Sequence, residues 1–312
     1  MPKFSVIIPA YNAEATLGET LDSLIGQTFT DWHAVILDDA STDGTVALGE
    51  AFAAKDERIS VVALGKSGPS RARNIGAAQF ARADWLAFLD ADDIFVPGKL
   101  ARLAALTSGA DAADAFYGRV AFFRGTPQSA KTVSKVRAEA LTPFDLLCEN
   151  PVCTLSNLVV RTSIFRDIGG FDPKVVHGED VEMMIRMAAA GGRIEGVDET
   201  LVYYRASDGG LSADLQAMRA GWQAAANTVG ALGVAIAPRA LAQAEAIHLR
   251  YLARRALRVR TGRFTALKLA ARAVRLSPPA FFSDPRRGAL VLMAACAEPF
   301  LPAAARRLAF NH

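Results

Sequence analysis

The stretch Trp85-Leu86-Ala87-Phe88-Leu89-Asp90-Ala91-Asp92-Asp93 sets five apolar residues directly against three carboxylates in four positions. An apolar run of that length, closed by polar residues, fits a strand buried on both faces. Three neighbouring carboxylates repel one another at neutral pH. Their hard oxygens suit Mg²⁺ or Mn²⁺, which keep coordination positions open for phosphate oxygens. The same residues also fit a solvated acidic turn that caps the helix near Pro97.

About 84 residues precede this strand, and they alternate in period. Phe4-Ser5-Val6-Ile7-Ile8-Pro9 is a near-continuous apolar run. Ala15, Leu17, Leu21, Leu24 and Ile25 then recur at helical spacing across 14–27. The pattern repeats as a strand at Ala34-Val35-Ile36-Leu37, a helix over 43–55, a strand at Ile59-Ser60-Val61-Val62-Ala63-Leu64 and a helix over 70–82. Such alternation predicts a parallel, doubly wound sheet, in which ligands bind beyond the carboxyl ends of the strands. Downstream the order is less regular. A helix near 97–109, strands near 115–123 and 157–161, a helix near 179–190 and a strand near 199–205 are expected.

Three other polar segments fall where such a sheet would present them. Asp38-Asp39-Ala40-Ser41-Thr42-Asp43-Gly44-Thr45 follows the second strand. A carboxylate there can accept from a base N–H or a ribose hydroxyl, or simply cap the next helix. Gly68-Pro69-Ser70-Arg71-Ala72-Arg73-Asn74-Ile75-Gly76 opens a helix, and helix N-termini and arginines both attract phosphate. His177-Gly178-Glu179-Asp180-Val181-Glu182 leads into the apolar run Met183, Met184, Ile185, Met187. Those acids fit either a proton acceptor at a cleft mouth or a first turn favoured by the helix dipole.

The composition is that of a folded chain, 51% hydrophobic and 21% charged over 312 residues. The net charge of +3 conceals a split: from Asp214 onward there are 15 Lys and Arg against 4 Asp and Glu, and before it 20 against 28. Two parts with different partners are the usual reason for such asymmetry. In the basic part Leu249, Leu252, Ala256 and Val259 make an apolar helical face and Arg250, Arg254 and Arg258 a basic one. Phe264, Leu267, Ala271 and Val274 repeat the apolar spacing, and Ser277-Pro278-Pro279 breaks the run. Cys148, Cys153 and Cys296 carry no zinc or disulfide pattern and are expected as buried thiols in a reducing compartment. No basic, then apolar leader opens the sequence, and no run nears the roughly 18 apolar residues of a spanning helix.

Five strings in order and spacing resemble the inverting family 2 glycosyltransferases of the GT-A fold: VIIPAYNAEATLGETLDSLIGQTF, VILDDASTDGT, GPSRARNIG, WLAFLDADD and IGGFDPKVVHGEDVEMMIRMAAAG. The resemblance covers about residues 3–205, and VYYR followed by Leu211-Ser212 is similar to the family's end-of-domain segment. It implies an α/β fold, a doubly wound mixed sheet as catalytic domain over 1–212, with a basic, Ala/Arg-rich helical appendage over 213–312. By the same resemblance Pro9, Tyr11 and Asn12 lie beside the nucleotide, Asp39 bonds the base, and Arg73 helps hold the nucleotide. Asp90 contacts the ribose and the metal shell, and Asp92 ligates an Mn²⁺ or Mg²⁺ that bridges the diphosphate, with Asp93 left out. Asp180 is the general base and Glu179 orients the acceptor. Gly169-Gly170-Phe171-Asp172 either shapes the acceptor site or caps a helix ahead of a packed Phe.

Two departures stand out. Family members often carry His after the Tyr-Arg segment, where this chain continues Arg205-Ala206-Ser207-Asp208-Gly209-Gly210. Processive members carry Gln-x-x-Arg-Trp, where this chain has Gln216-Ala217-Met218-Arg219-Ala220, so transfer of a single sugar is expected. A nucleotide-sugar, with UDP-hexose the commonest kind, is the implied donor. A saccharide or lipid-linked hydroxyl is the acceptor, in bacterial surface-polysaccharide or glycolipid assembly. The alternatives are a catalytically decayed nucleotide-sugar-binding protein and an aspartate-nucleophile phosphatase. The phosphatase places Thr or Val where Ile94 stands and begins with its acidic strand. A nicotinamide dehydrogenase lacks its G-x-G-x-x-G here. The basic helices fit either a solvated face or contact with an anionic membrane. A cytoplasmic protein with peripheral contact at the inner membrane is the expectation, and no nucleic-acid motif is present.

Overall fold

The computed structural model describes every residue except 1, 110, 207–213, 260–261, 303–305, 307–308 and 310–312. The chain divides into one unit of residues 1–141 with 151–207 and a second of residues 142–150 with 208–312. The expected boundary at 212 and the Leu211-Ser212 segment lie outside the described residues, as do Ser207 to Gly210.

The first unit is built on one sheet. Its strands are β1 (Phe4–Ala10), β2 (Trp32–Asp38), β3 (Ile59–Ala63), β4 (Trp85–Phe88), β5 (Ile94–Phe95), β6 (Ala115–Phe123), β7 (Thr132–Val133), β8 (Leu158–Arg161) and β9 (Ile194–Arg205). The order is β3-β2-β1-β4-β8-β6-β9-β5, with β7 paired to β6. The half β3-β2-β1-β4 is wholly parallel, as the alternation predicts. Next to β4 the direction changes: β8 runs antiparallel to both β4 and β6, and β9 returns parallel to β6. The sheet is therefore mixed, the form implied by the family resemblance rather than by the alternation alone.

Burial of β1 on both faces explains its unbroken apolar sequence. Phe4, Val6 and Ile8 pack on one side with Leu17, Leu21 and Leu24 of the helix Leu17–Ile25. Ile7, on the other, is equally inaccessible. Each such side chain stabilises the fold by about 1.5–3 kcal/mol. Phe88 at the end of β4 joins Phe165 and Phe171 in an edge-packed trio, with centroids 5.3–5.6 Å apart. Because β1, β2 and β4 are parallel, their carboxyl ends lie on one edge of the sheet, next to Tyr11, Asp39 and Asp90.

The second unit is helical. The helix Pro143–Cys148 carries a Thr142/Asp145 capping box. It is joined by Leu215–Ala231, Pro238–Val259, Thr265–Leu276, Pro278–Phe281 and Pro285–Ala297. Asp214, Ser277 and Asp284 cap three of the later helices with their side chains. Leu249, Leu252 and Ala256 are buried, as their spacing predicts. Arg250 corrects the basic-face reading: it is 4% exposed and donates to Phe281 O at 2.8 Å and Ser283 Oγ at 3.2 Å. Its neighbours Leu249 and Ala253 carry it to the buried side, where the Phe281 carbonyl and Glu149 satisfy its charge. The cysteines differ from expectation too, for Cys148 and Cys153 are half-buried and Cys296 is exposed. Among the described residues no helix is long and apolar enough to cross a membrane.

Candidate active site

The acidic turn is clamped through its backbone, which leaves its carboxylates with distinct tasks. Thr16 Oγ1 donates to Ala91 O at 2.9 Å, Thr20 Oγ1 to Asp93 O at 2.9 Å, and Arg205 Nε to Asp92 O at 2.9 Å. Two elements far apart in sequence, the start of the first helix and the end of β9, thus hold three successive carbonyls. Asp93 is fully buried, accepting from Thr154 Oγ1 at 3.0 Å and from the Arg205 amide at 3.2 Å. Burial, with Asp90 and Asp92 close by, drives its carboxyl well above the ordinary range. Nearby Lys99 is just as buried; burial pulls its pKa far down, and its ammonium lies 3.6 Å above the Phe95 ring and donates to Ser156 O. Asp93 therefore ties the turn to the end of β9.

Asp90 is turned to the next group. Its amide donates to Ser156 Oγ at 2.9 Å, and its carboxylate accepts from Thr154 Oγ1 at 3.2 Å. The carboxylate also meets Arg73 Nη2 at 2.5 Å. Arg73 sits in the short helix Pro69–Ile75, with its side chain 6% exposed and its Nη1 3.4 Å from Glu179 Oε1. Its Nε is buried without a hydrogen-bond partner. One guanidinium thus spans carboxylates from two segments about ninety residues apart.

Glu179 and Asp180 open the helix Glu179–Ala189 after Gly178, whose φ of +74° is costly for any residue with a Cβ. The loop before it is fixed by side chains. Asn74 Nδ2 donates to Phe171 O at 2.8 Å while the Phe171 amide donates to Asn74 Oδ1 at 2.9 Å. Buried Glu182 pairs with Arg186 at 2.7 Å, and Arg186 donates to Gly170 O at 2.6 Å. A Cβ on Gly170 would meet Asn74 Oδ1 at 2.5 Å. Gly169-Gly170-Phe171 is thus a helix C-terminus with Phe171 packed beneath it, the second of its two readings. Burial, then the adjacent Asp180, pushes the Glu179 carboxyl to about 7, against the pull of Arg73.

At the neighbouring strand ends Asn12 takes a φ of +47° and its Oδ1 accepts from the Thr42 amide at 2.9 Å. Tyr11 is 50% exposed with Lys66 Nζ 5.2 Å above its ring, and Pro9 is half-buried within β1. Asp39 is 7% exposed and fully engaged within the chain, accepting from Ser67 Oγ at 2.9 Å and the Gly68 amide at 2.9 Å. Its carboxylate fixes the Ser67-Gly68 loop, so a base would meet that loop together with Asp39.

Asp92 is the carboxylate with a cation-binding character. Among the described residues no side chain bonds to it, and burial, then Asp90, raises it to about 6. Its anionic form is offset in part by Arg205, and a divalent ion would supply further positive charge. No group of three His, Cys, Asp or Glu among the described residues could hold a metal alone. Mg²⁺ is commonly held by one or two carboxylates with water and substrate phosphate completing the shell. The Asp90–Asp92 pair fits that mode.

The structure thus brings Arg73, Asp90, Asp92, Glu179 and Asp180 into one charged neighbourhood, with Tyr11, Asn12 and Asp39 along the same strand edge. Sequence reasoning missed Thr16, Thr20, Thr154 and Ser156, whose hydroxyls belong to no periodic pattern. It also missed Lys66 and Glu19. Glu19 pairs with Arg205 at 2.5 Å across 186 positions, and no local signal announces such a contact.

The family model described as Glycosyl transferase family 2 matches residues 5–169. A putative teichuronic acid biosynthesis glycosyltransferase of Bacillus subtilis strain 168 is 30% identical over 230 residues, covering 73% of this chain and 86% of that relative. Among solved structures, TarS 1–349 of S. aureus in complex with UDP-GlcNAc superposes with a TM-score of 0.57 at 20% identity, covering 91% of this chain and 92% of that one. A mannosyltransferase of Pyrobaculum calidifontis in complex with GDP-Man and Mn²⁺ gives 0.53 at 22% identity, covering 97% and 78%. At these identities the structures establish the fold alone, the GT-A transferase fold.

Proposed function

From the premise that the chain belongs to glycosyl transferase family 2 and is a glycosyltransferase, we propose that it moves one sugar, with inversion, from a nucleotide-sugar to an acceptor hydroxyl in a metal-dependent, non-processive reaction. The observation that carries this reading is Arg73, which joins Asp90 at 2.5 Å to Glu179 at 3.4 Å. Through it the acidic strand end and the paired acids of a distant helix form one site. A decayed binding protein would have no need to retain Asp180 beside that assembly, and a phosphatase would need its first strand to be the acidic one.

In the proposed reaction Asp180 accepts the proton of the acceptor hydroxyl. The oxygen forms its bond to the anomeric carbon as the bond from that carbon to the diphosphate oxygen breaks, and the electron pair leaves on the diphosphate. Glu179, held near neutrality, can donate to or accept from a second hydroxyl and so orient the acceptor. Arg73 fixes both Glu179 and Asp90 and is placed to face the nucleotide's negative charge. Tyr11 and Asn12 border the nucleotide, with Pro9 setting the strand end, and Asp39 shapes the Ser67-Gly68 loop against the base. Mn²⁺ or Mg²⁺, held by Asp92 and Asp90, would offset the charge developing on the leaving group. UDP-hexose is the proposed donor, supported by the UDP-GlcNAc complex of the S. aureus relative. Bacterial surface polysaccharide or glycolipid is the proposed product, supported by the teichuronic acid relative. We place the protein in the cytoplasm with peripheral contact to the membrane through its basic second unit.

UDP release from UDP-hexoses with Mn²⁺ and saccharide acceptors is the direct test. Asp180→Asn should lower transfer by about 10²–10⁴-fold, the usual contribution of a positioned proton acceptor. Full activity in that variant would refute the assignment.

A further inference from the structure

The second unit contains a cavity that the transfer reaction does not use. It has a volume of about 560 Å³ between the helices Pro238–Val259 and Pro285–Ala297. Arg254, Arg258, Arg286 and Arg287 line it, with Asp284 as its one carboxylate. Glu149 reaches Arg287 at 3.0 Å but is shared with the buried Arg250 at 3.3 Å. Counting these seven groups leaves a surplus of three positive charges. Burial, then the proximity of Arg287, lowers the pKa of Arg254.

The rest of the lining is apolar. Leu257, Leu290, Val291, Ala294 and Ala309 complete the wall. Leu290 is 53% exposed, and Met293, three positions further on the same helix, is 60% exposed. Phe300, just past that helix, is 84% exposed. An inorganic anion has no use for this apolar border. An acidic peptide would match the charge but not the exposed Leu290 in the wall or the exposed Met293 on the same helix. A phosphate carrying acyl chains matches both, and apolar side chains beside basic ones are how peripheral helices seat at a lipid interface.

We propose that this cavity is a binding site for the phosphate headgroup of an anionic membrane lipid, with Leu290, Met293 and Phe300 entering the acyl boundary. The inference rests on the peripheral membrane contact proposed above and names its site. It does not depend on which sugar is transferred.

Co-sedimentation of the full chain with vesicles tests it. The chain should bind vesicles of phosphatidylcholine containing phosphatidylglycerol and not those of phosphatidylcholine alone. Arg254→Gln/Arg258→Gln/Arg286→Gln should weaken binding by about a hundredfold, taking roughly fivefold per basic residue near an anionic surface. Leu290→Ser/Met293→Ser should weaken it at unchanged charge. Lys268→Gln/Arg272→Gln/Arg275→Gln, an equal charge change on the helix Thr265–Leu276, should cost at least tenfold less. A circular-dichroism melt with the wild-type midpoint confirms that each variant is folded. Absence of binding by the wild-type chain overturns both the membrane contact and the site. Binding lost equally in the two charge variants overturns the cavity site and leaves the contact standing.

Discussion

Glu179→Gln separates two accounts of the acidic pair. If Glu179 is an ionised partner of Arg73, the amide should be harmful at every pH where the acid is charged. If burial and Asp180 hold its carboxyl near 7 against an ordinary 4.5, the charged form costs stability and the amide relieves it. A carboxyl raised on folding contributes stability fully below its unfolded pKa and loses it as pH climbs through the folded one. The loss amounts to about 1 kcal/mol at pH 5 and about 3 kcal/mol at pH 8, so it grows by about 2 kcal/mol between them. The Glu179 side chain is 14% exposed, so little of this is screened by solvent. Glutamine preserves the shape and does not titrate.

Circular-dichroism melts at pH 5 and pH 8, in EDTA and without donor, give the comparison. At about 2–4 °C per kcal/mol for a unit of this size, the midpoint of Glu179→Gln relative to wild type should rise by roughly 4–8 °C between pH 5 and pH 8. A difference that stays constant with pH, or that turns against the variant as pH rises, refutes the raised carboxyl. It would also remove the reason for giving Glu179 a hydrogen-bonding role toward the acceptor.

Asp92→Asn should abolish the extra thermal stabilisation that Mn²⁺ gives in the presence of UDP, and wild-type chain in EDTA should behave as the variant does. Arg73→Met should lose about 1.5–3 kcal/mol in urea unfolding, because the partly buried Asp90 carboxylate would lose its charged hydrogen-bond partner. Arg73→Lys should recover only part of that loss, since one ammonium lacks the fork that reaches both acids. His248 stacks on Trp222 with Nε2 shut off from solvent and unpartnered. Burial, then Arg219, lowers its pKa from 6.5 to about 3. A lowered histidine costs stability as pH falls below its unfolded pKa, here about 2 kcal/mol by pH 5. His248→Phe should remove that component from the pH dependence of unfolding.

The parallel half of the sheet was legible because a strand buried on both faces leaves an unbroken apolar run, as at Phe4–Ala10 and Trp85–Phe88. The mixed half was not, since Leu158–Arg161 has the same apolar character whichever way it runs, and its antiparallel setting is a tertiary fact. The acids of the site were readable because carboxylates at strand ends and helix starts are chemically conspicuous. What holds them was hidden. Thr16, Thr20, Thr154 and Ser156 act by single hydroxyls across 61–75 positions of sequence. Asp39 illustrates the limit: its place at the strand end was readable, but its capture by Ser67 and Gly68 depends on a loop 28 and 29 residues away. Arg250 shows the opposite failure. Its chemistry suggested a solvated face, and only the packing of its helix could place it inside.

The charge balance links these local observations to metal dependence. A nucleotide diphosphate is anionic, yet the neighbourhood that would receive it holds Asp90, Asp92, Glu179 and Asp180 around Arg73. Arg205, the next cation, already serves Glu19 and the Asp92 carbonyl. An anion entering such a field alone would add repulsion to carboxylates that are already displaced toward their neutral forms, Asp92 to about 6 and Glu179 to about 7. A divalent ion reverses the sign of that field near the strand ends. Asp180, in the first turn of the helix Glu179–Ala189, would remain the proposed proton acceptor. Burial comes first in both upward shifts, with Asp90 adding to that of Asp92 and Asp180 to that of Glu179, and binding of Mn²⁺ with the donor should lower Asp92.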